Sequence, residues 1–193
     1  MHSYSIDSDI RKKVYFGIFV ISMVIPATFE KIRLATGLPD YLAFPASFST
    51  LFGALYFSFN HYLWKFFPWL TSIPDLTGEW EAKGKSSYQD PDSKENISFA
   101  MAITIRQNFS EMEVFTETGE STSRSTMAGV FAQHAIPMFR YSFENTPKNM
   151  ADKELQRHPG LIELRIQPNG TLSGDYFSGK HRLRYGELEV KRK

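Results

Sequence analysis

The stretch Leu76-Thr77-Gly78-Glu79-Trp80-Glu81-Ala82-Lys83-Gly84-Lys85 alternates apolar or small residues at even positions with polar ones at odd positions. Successive side chains of a strand point to opposite faces, so this pattern predicts a strand with one buried face and not a helix. Working toward the C-terminus, the same reading finds seven further strands, over residues 97–107, 112–118, 122–133, 139–145, 161–166, 171–178 and 182–191. Turn chemistry separates them: Asp90-Pro91-Asp92, Asn108, Thr118-Gly119-Glu120, and Pro168-Asn169-Gly170-Thr171, whose Asn-Gly is a strong hairpin signal. One long polar connection runs over residues 146–160. Eight short consecutive strands predict an antiparallel up-and-down β-barrel or a sandwich, and closure favours the barrel because it leaves no unpaired edge. Gly78, Gly84, Gly129, Gly174 and Gly186 are expected at bends of its wall. A barrel of this size encloses packed side chains or one small ligand.

Toward the N-terminus the pattern changes. Residues 14–29 are sixteen without a charge, and residues 41–59 are nineteen. A helix crossing the hydrocarbon core needs about 20 apolar residues. The sequence therefore predicts two membrane-spanning helices, the first short and carrying Pro26, joined by a turn with mixed charge and the helix-stopping Gly37 and Pro39. Tyr62, Trp64, Phe66, Phe67 and Trp69 form an aromatic cluster of the kind found at a membrane interface. Arg11, Lys12 and Lys13 precede the first span, and Lys65, Lys83 and Lys85 follow the second, against Lys31 and Arg33 between them. By the positive-inside bias both termini are expected in the cytoplasm. The expected organisation is a two-helix anchor over residues 1–70 and a cytosolic barrel over residues 71–193, separated by a short linker with Pro68 and Pro74.

Several functions lack support. A net charge of +1 gives no field for a nucleic acid polymer, and without cysteine there is neither a disulfide framework nor a thiolate metal site. The five histidines show no metal-binding spacing, so no metal is expected. Gly84-Lys85-Ser86 imitates the end of a phosphate-binding loop, but Glu79 stands where that loop needs glycine. No nucleophile motif is present, and no enzyme activity is expected.

The barrel's inward parity carries the chemistry. Gly186, Leu188 and Val190 face in, which places Arg182 and Arg184 inside toward one mouth. The same exercise turns Phe139, Tyr141, Phe143 and Asn145 inward, together with Trp80 and Tyr176. If Ala128 and Val130 face in, Arg124 and Thr126 on the same strand do too, unless a bulge shifts the parity. An enclosed guanidinium must meet a carboxylate or an anionic ligand. The candidate ligand-binding set is accordingly Trp80, Arg124, Thr126, Tyr141, Asn145, Tyr176, Arg182 and Arg184, which would suit a ligand with phosphates and flat bases. The competing reading makes the aromatics plain core and pairs the arginines with acids at the rim.

Two apolar segments followed by Pro74-Asp75-Leu76-Thr77-Gly78-Glu79-Trp80, then Gly84-Lys85-Ser86-Ser87-Tyr88 and an all-β remainder, resemble CD-NTase-associated protein 15, the two-transmembrane β-barrel effector of bacterial CBASS anti-phage systems. The resemblance implies a receptor: the cytosolic barrel binds a cyclic dinucleotide, and the chain self-associates and disrupts inner-membrane lipids, killing the infected cell. The rival expectation is a membrane-tethered, lipocalin-like carrier of an apolar molecule, whose interior would need no arginine.

Overall fold

The computed structural model describes residues 1–43, 47–90, 93–133, 135–148, 157–179 and 184–193. The chain divides into two compact units, Ser8–Thr71 on one hand and Met1–Asp7 with Ser72–Lys193 on the other. The first seven residues thus fold with the β domain, whereas the sequence reading assigned them to the anchor.

The unit Ser8–Thr71 is helical. Helix α1 (Ile10–Thr36) is 27 residues long and ends where Gly37 takes a left-handed conformation that closes the last turn onto Arg33 O. At 1.5 Å per residue it measures ~40 Å, enough to cross a bilayer. Phe16, Val20, Met23 and Val24 stand exposed on it, the surface expected of a lipid-facing helix. Pro26 leaves the Ser22 carbonyl without its helical partner, and Arg33 beyond it is bracketed by Glu30 and Asp40. Helix α2 (Phe48–His61) is shorter than the sequence predicts, at 14 residues. Asp40–Ala43 form a 3-10 turn instead, and Ser47 caps the helix by accepting from Thr50 N–H, so the apolar run of residues 41–59 is only partly helical. Among the described residues one helix, α1, is long and apolar enough to span by itself. Tyr15 packs on Tyr56 and Phe19 on Phe48, an antiparallel pairing of the two helices. A 3-10 turn (Leu63–Phe66) and the single-turn helix α3 (Pro68–Thr71) complete the unit.

The β unit is the expected closed barrel. Its eight strands are β3 (Gly78–Gln89), β4 (Asn96–Gln107), β5 (Glu111–Glu117), β6 (Ser121–Phe131), β7 (Met138–Pro147), β8 (His158–Ile166), β9 (Leu172–Ser178) and β10 (Arg184–Arg192). Every sequential pair is antiparallel, β10 pairs with β3, and β5 closes on β6. The last closure is partial. Only Phe115, Thr116 and Glu117 pair with Arg124, Ser123 and Thr122. Beyond that point the strands part, and two short strands, β1 (His2–Ser3) on β5 and β2 (Ser5–Ile6) on β6, fill the gap.

The interior is divided along the barrel axis. At one end Ile103, Ile105, Val114, Val130, Phe139, Tyr141, Leu164, Leu172 and Val190 pack solidly. Trp80 closes this end, its indole N–H donating to Leu76 O at 3.0 Å and its face covered by the Arg192 guanidinium at 4.8 Å. Toward the other end small and polar residues take over.

Tyr141 is fully buried, and its hydroxyl has no hydrogen-bond partner among the described residues. An unsatisfied buried hydroxyl costs about 1–3 kcal/mol, so Tyr141→Phe is expected to raise unfolding stability by about 1 kcal/mol in urea titrations. Burial also pushes the Tyr141 phenol well above its ordinary pKa. The folded state therefore resists ionisation that the unfolded chain accepts near pH 10, and stability falls as pH rises through that value. The phenylalanine variant should lose part of this alkaline limb.

Candidate ligand-binding site

The polar half of the interior opens as a cavity of about 620 Å³, within the ~300–1,000 Å³ usual for small-molecule sites. All eight barrel strands contribute to its walls: Ser86 and Tyr88 on β3, Phe99 on β4, Thr116 on β5, Ser121 and Ser123 on β6, Phe143 and Asn145 on β7, His158 on β8, Tyr176 on β9 and Arg184 on β10.

The aromatic rings are seated on glycines. The Cβ that Gly84 lacks would lie 2.3 Å from the Phe99 ring, that of Gly160 would lie 2.2 Å from Phe143, and that of Gly186 would lie 2.7 Å from Tyr176. Each ring lies against backbone where a β-carbon would crowd it. Phe99 and Tyr176 then meet edge to face at 5.5 Å. Rings held in this way cost little entropy when a flat ligand stacks on them.

Charge enters at one point. Arg184 is the one Lys or Arg lining the cavity among the described residues. Its guanidinium lies 3.9 Å from the centre of the Tyr88 ring, and no described carboxylate forms an ion pair with it. The cation is thus oriented by an aromatic face while its N–H donors stay available for an anion. Deeper in, the Ser123 hydroxyl donates to Asn145 Oδ1 at 2.9 Å. This leaves the Asn145 amide N–H groups to the cavity among the described residues, where they can donate to a base or phosphate oxygen.

Of the residues the sequence proposed, Asn145, Tyr176 and Arg184 come together here. Tyr141 and Trp80 face inward as expected but belong to the packed core and its closed end. Arg124 and Thr126 point outward, which corrects the sequence reading. The β6–β7 register shifts between Ser125 and Met127, a bulge that inverts parity within one strand. Ala128 and Val130 face in, but so do Ser121, Ser123 and Ser125, and Arg124 reaches Glu113 on the outer wall. Arg182 lies outside the described residues. The sequence reading missed Tyr88, Phe99, Ser123 and His158. The odd-position alternation of 97–107 signals Phe99, whereas nothing in the side-chain pattern announces the bulge that turns Ser123 inward. A second hollow of about 780 Å³ lies on the outer wall, where Lys83, Lys85 and Arg165 alternate with Asp175, Glu187 and Glu189. It is an open face of mixed charge.

A closed barrel with a polar, aromatic-lined cavity and one oriented guanidinium, in a chain that also carries a helix long and apolar enough to cross a membrane, has the features of a small-ligand receptor. Residues 71–192 match the family model "Cap15, cyclic dinucleotide receptor domain", and the chain belongs to that family. It is 24% identical over 174 residues to CD-NTase-associated protein 15 of Staphylococcus schleiferi, covering 90% of this chain and 88% of that one. It is 27% identical over 135 residues to the protein of the same name from Yersinia aleksiciae, covering 69% of this chain. The match spans 60% of the Yersinia protein's length.

Proposed function

We propose that the chain is a CBASS anti-phage effector whose barrel binds one cyclic dinucleotide and whose helices then act on the inner membrane. The observation that carries the ligand is Arg184, stacked on Tyr88 and without an acidic partner among the described residues, opposite rings that accept bases. One phosphate would take the guanidinium and the other the Asn145 amide, with bases on Phe99, Phe143 or Tyr176. A carrier of an apolar molecule has no use for a cation oriented in this way.

Connectivity supports a second membrane crossing. Strands β1 and β2 lie in the barrel wall just before α1, and Ser72 leads back into the barrel after α3. A segment whose two ends belong to one folded domain leaves and returns on the same side, so it crosses an even number of times. If α1 crosses, residues 48–66 must cross back, although α2 measures only ~21 Å against a ~30 Å core. So short a span is met by local bilayer thinning or by self-association, and both fit a ligand-triggered oligomer that perturbs lipid packing. The N- and C-termini are then cytoplasmic.

The test is the full chain in phospholipid vesicles holding a potassium gradient, with a voltage-sensitive dye. Addition of the matching member of a panel of cyclic dinucleotides should collapse the potential. A potential that survives the whole panel would sink the effector reading. Within the site, Asn145→Ala is expected to weaken ligand binding about tenfold, the value of one good hydrogen bond, with little change in melting temperature. Calorimetric titration of the variant checks it.

A further inference from the structure

The gap between β5 and β6 is filled by the chain's own N-terminal strands, the last barrel elements before the first helix in chain order. The two barrel strands pair directly only beside the cavity, where Thr116 and Ser123 line it. They fork at the bulge after Ser125. At the fork the Ser125 hydroxyl accepts from Val114 N–H at 2.9 Å and meets His2 Nε2 at 2.8 Å. His2 Nδ1 contacts the Ser3 carbonyl, which only accepts, so Nδ1 carries the proton and Nε2 takes the Ser125 hydroxyl hydrogen. From there the chain pairs with β5 through His2 and Ser3, plugs the wall with the buried Tyr4, and crosses to β6 through Ser5 and Ile6. The Tyr4 hydroxyl donates to Phe109 O and accepts from Gln107 Nε2. The Asp7 carboxylate accepts from Ala132 and Gln133 N–H, and two residues later, after Asp9, α1 begins.

We infer that residues 2–7 are a displaceable latch: ligand in the cavity draws β5 and β6 together past the fork, expels these strands, and lengthens the tether that joins the barrel to α1. Each strand edge has one set of backbone donors and acceptors. Pairing of β5 with β6 beyond Ser125 and occupation of the same edges by β1 and β2 are therefore mutually exclusive. The strands involved are two residues each, so their displacement sets little pairing against a ligand's differential affinity for the closed fork. The inference rests on the receptor reading above and adds how occupancy reaches the membrane.

The chain has no cysteine, so a cross-link reports cleanly. Ser3 and Glu111 are directly paired across β1 and β5 on the outer wall, away from the cavity. Ser3→Cys with Glu111→Cys, oxidised in vesicles, should still bind the activating cyclic dinucleotide, though more weakly because the closed fork is denied to it, and at saturating ligand should collapse the potential at least tenfold more slowly. Reduction with dithiothreitol should restore the unmodified rate, and each single-cysteine variant should behave as the unmodified chain. If the oxidised protein responds as fast as the reduced one, the latch is refuted while the receptor stands. If the unmodified chain itself never responds, the effector reading falls and takes the latch with it.

Discussion

Replacing Arg184 by alanine is expected to weaken cyclic dinucleotide binding about 100-fold and to remove most of the ligand's effect on thermal stability. A guanidinium–phosphate contact in an enclosed site is worth about 2–5 kcal/mol when one partner is removed, and 2.7 kcal/mol is a factor of about 100. The loss should concentrate on this residue because, among the described residues, no other Lys or Arg lines the cavity. Ligand at 100 times its dissociation constant adds ~2.7 kcal/mol to the unmodified protein, roughly 8–12 °C for a barrel of this size. The variant should show little of this shift, while its unliganded melting temperature stays close to the parent's, since the side chain is only partly buried and makes no described ion pair. Arg184→Lys should fall between the two, keeping the charge but losing the planar fork and the stack on Tyr88. Melting curves of the three proteins, with and without ligand, check the series.

The second large effect concerns the wall. Gly174→Ala should destabilise the barrel by more than about 3 kcal/mol, because the added Cβ would fall 2.0 Å from the backbone oxygen of Glu163 on β8. Backbone on a paired strand has nowhere to go without breaking its register with Leu164 and Gly174. Gly186 meets the same obstacle at Lys85 O, 2.1 Å away. Gly84→Ala is a different case: its Cβ would meet only the outer edge of the Phe99 ring, which can tilt, so it should impair ligand stacking more than folding. Gly119→Ala, with nothing within 4 Å, is the neutral reference. Denaturant titration ranks the three.

These glycines mark what the sequence expresses well and what it expresses only in part. All eight barrel strands are visible from period-two alternation and from turns such as Asn169-Gly170, because each signal is local. The glycines read as bends, and Gly174 and Gly186 do sit where neighbouring backbones nearly touch. That Gly84 and Gly160 serve as seats for Phe99 and Phe143 depends on which strands lie side by side, which is not local information. Interior parity placed Asn145, Tyr176 and Arg184 correctly on unbroken strands. It misplaced Arg124 and Thr126 because one extra residue at the β6 bulge reverses the face with no trace in composition. The anchor shows the same limit, since hydropathy counts residues 41–59 alike whether or not they are helical, and the structure begins α2 only after Ser47. The strands at His2–Ser3 and Ser5–Ile6 are too short for any alternation to be seen.

On the proposed function, a cyclic dinucleotide sits inside the barrel against Arg184 and Asn145. Isothermal titration of the full chain in detergent, against a panel of cyclic dinucleotides, tests it most directly. One site per chain is expected for the matching ligand, weakened about tenfold by Asn145→Ala and about 100-fold by Arg184→Ala. Binding of undiminished strength to both variants, or no heat with any member of the panel, would contradict it.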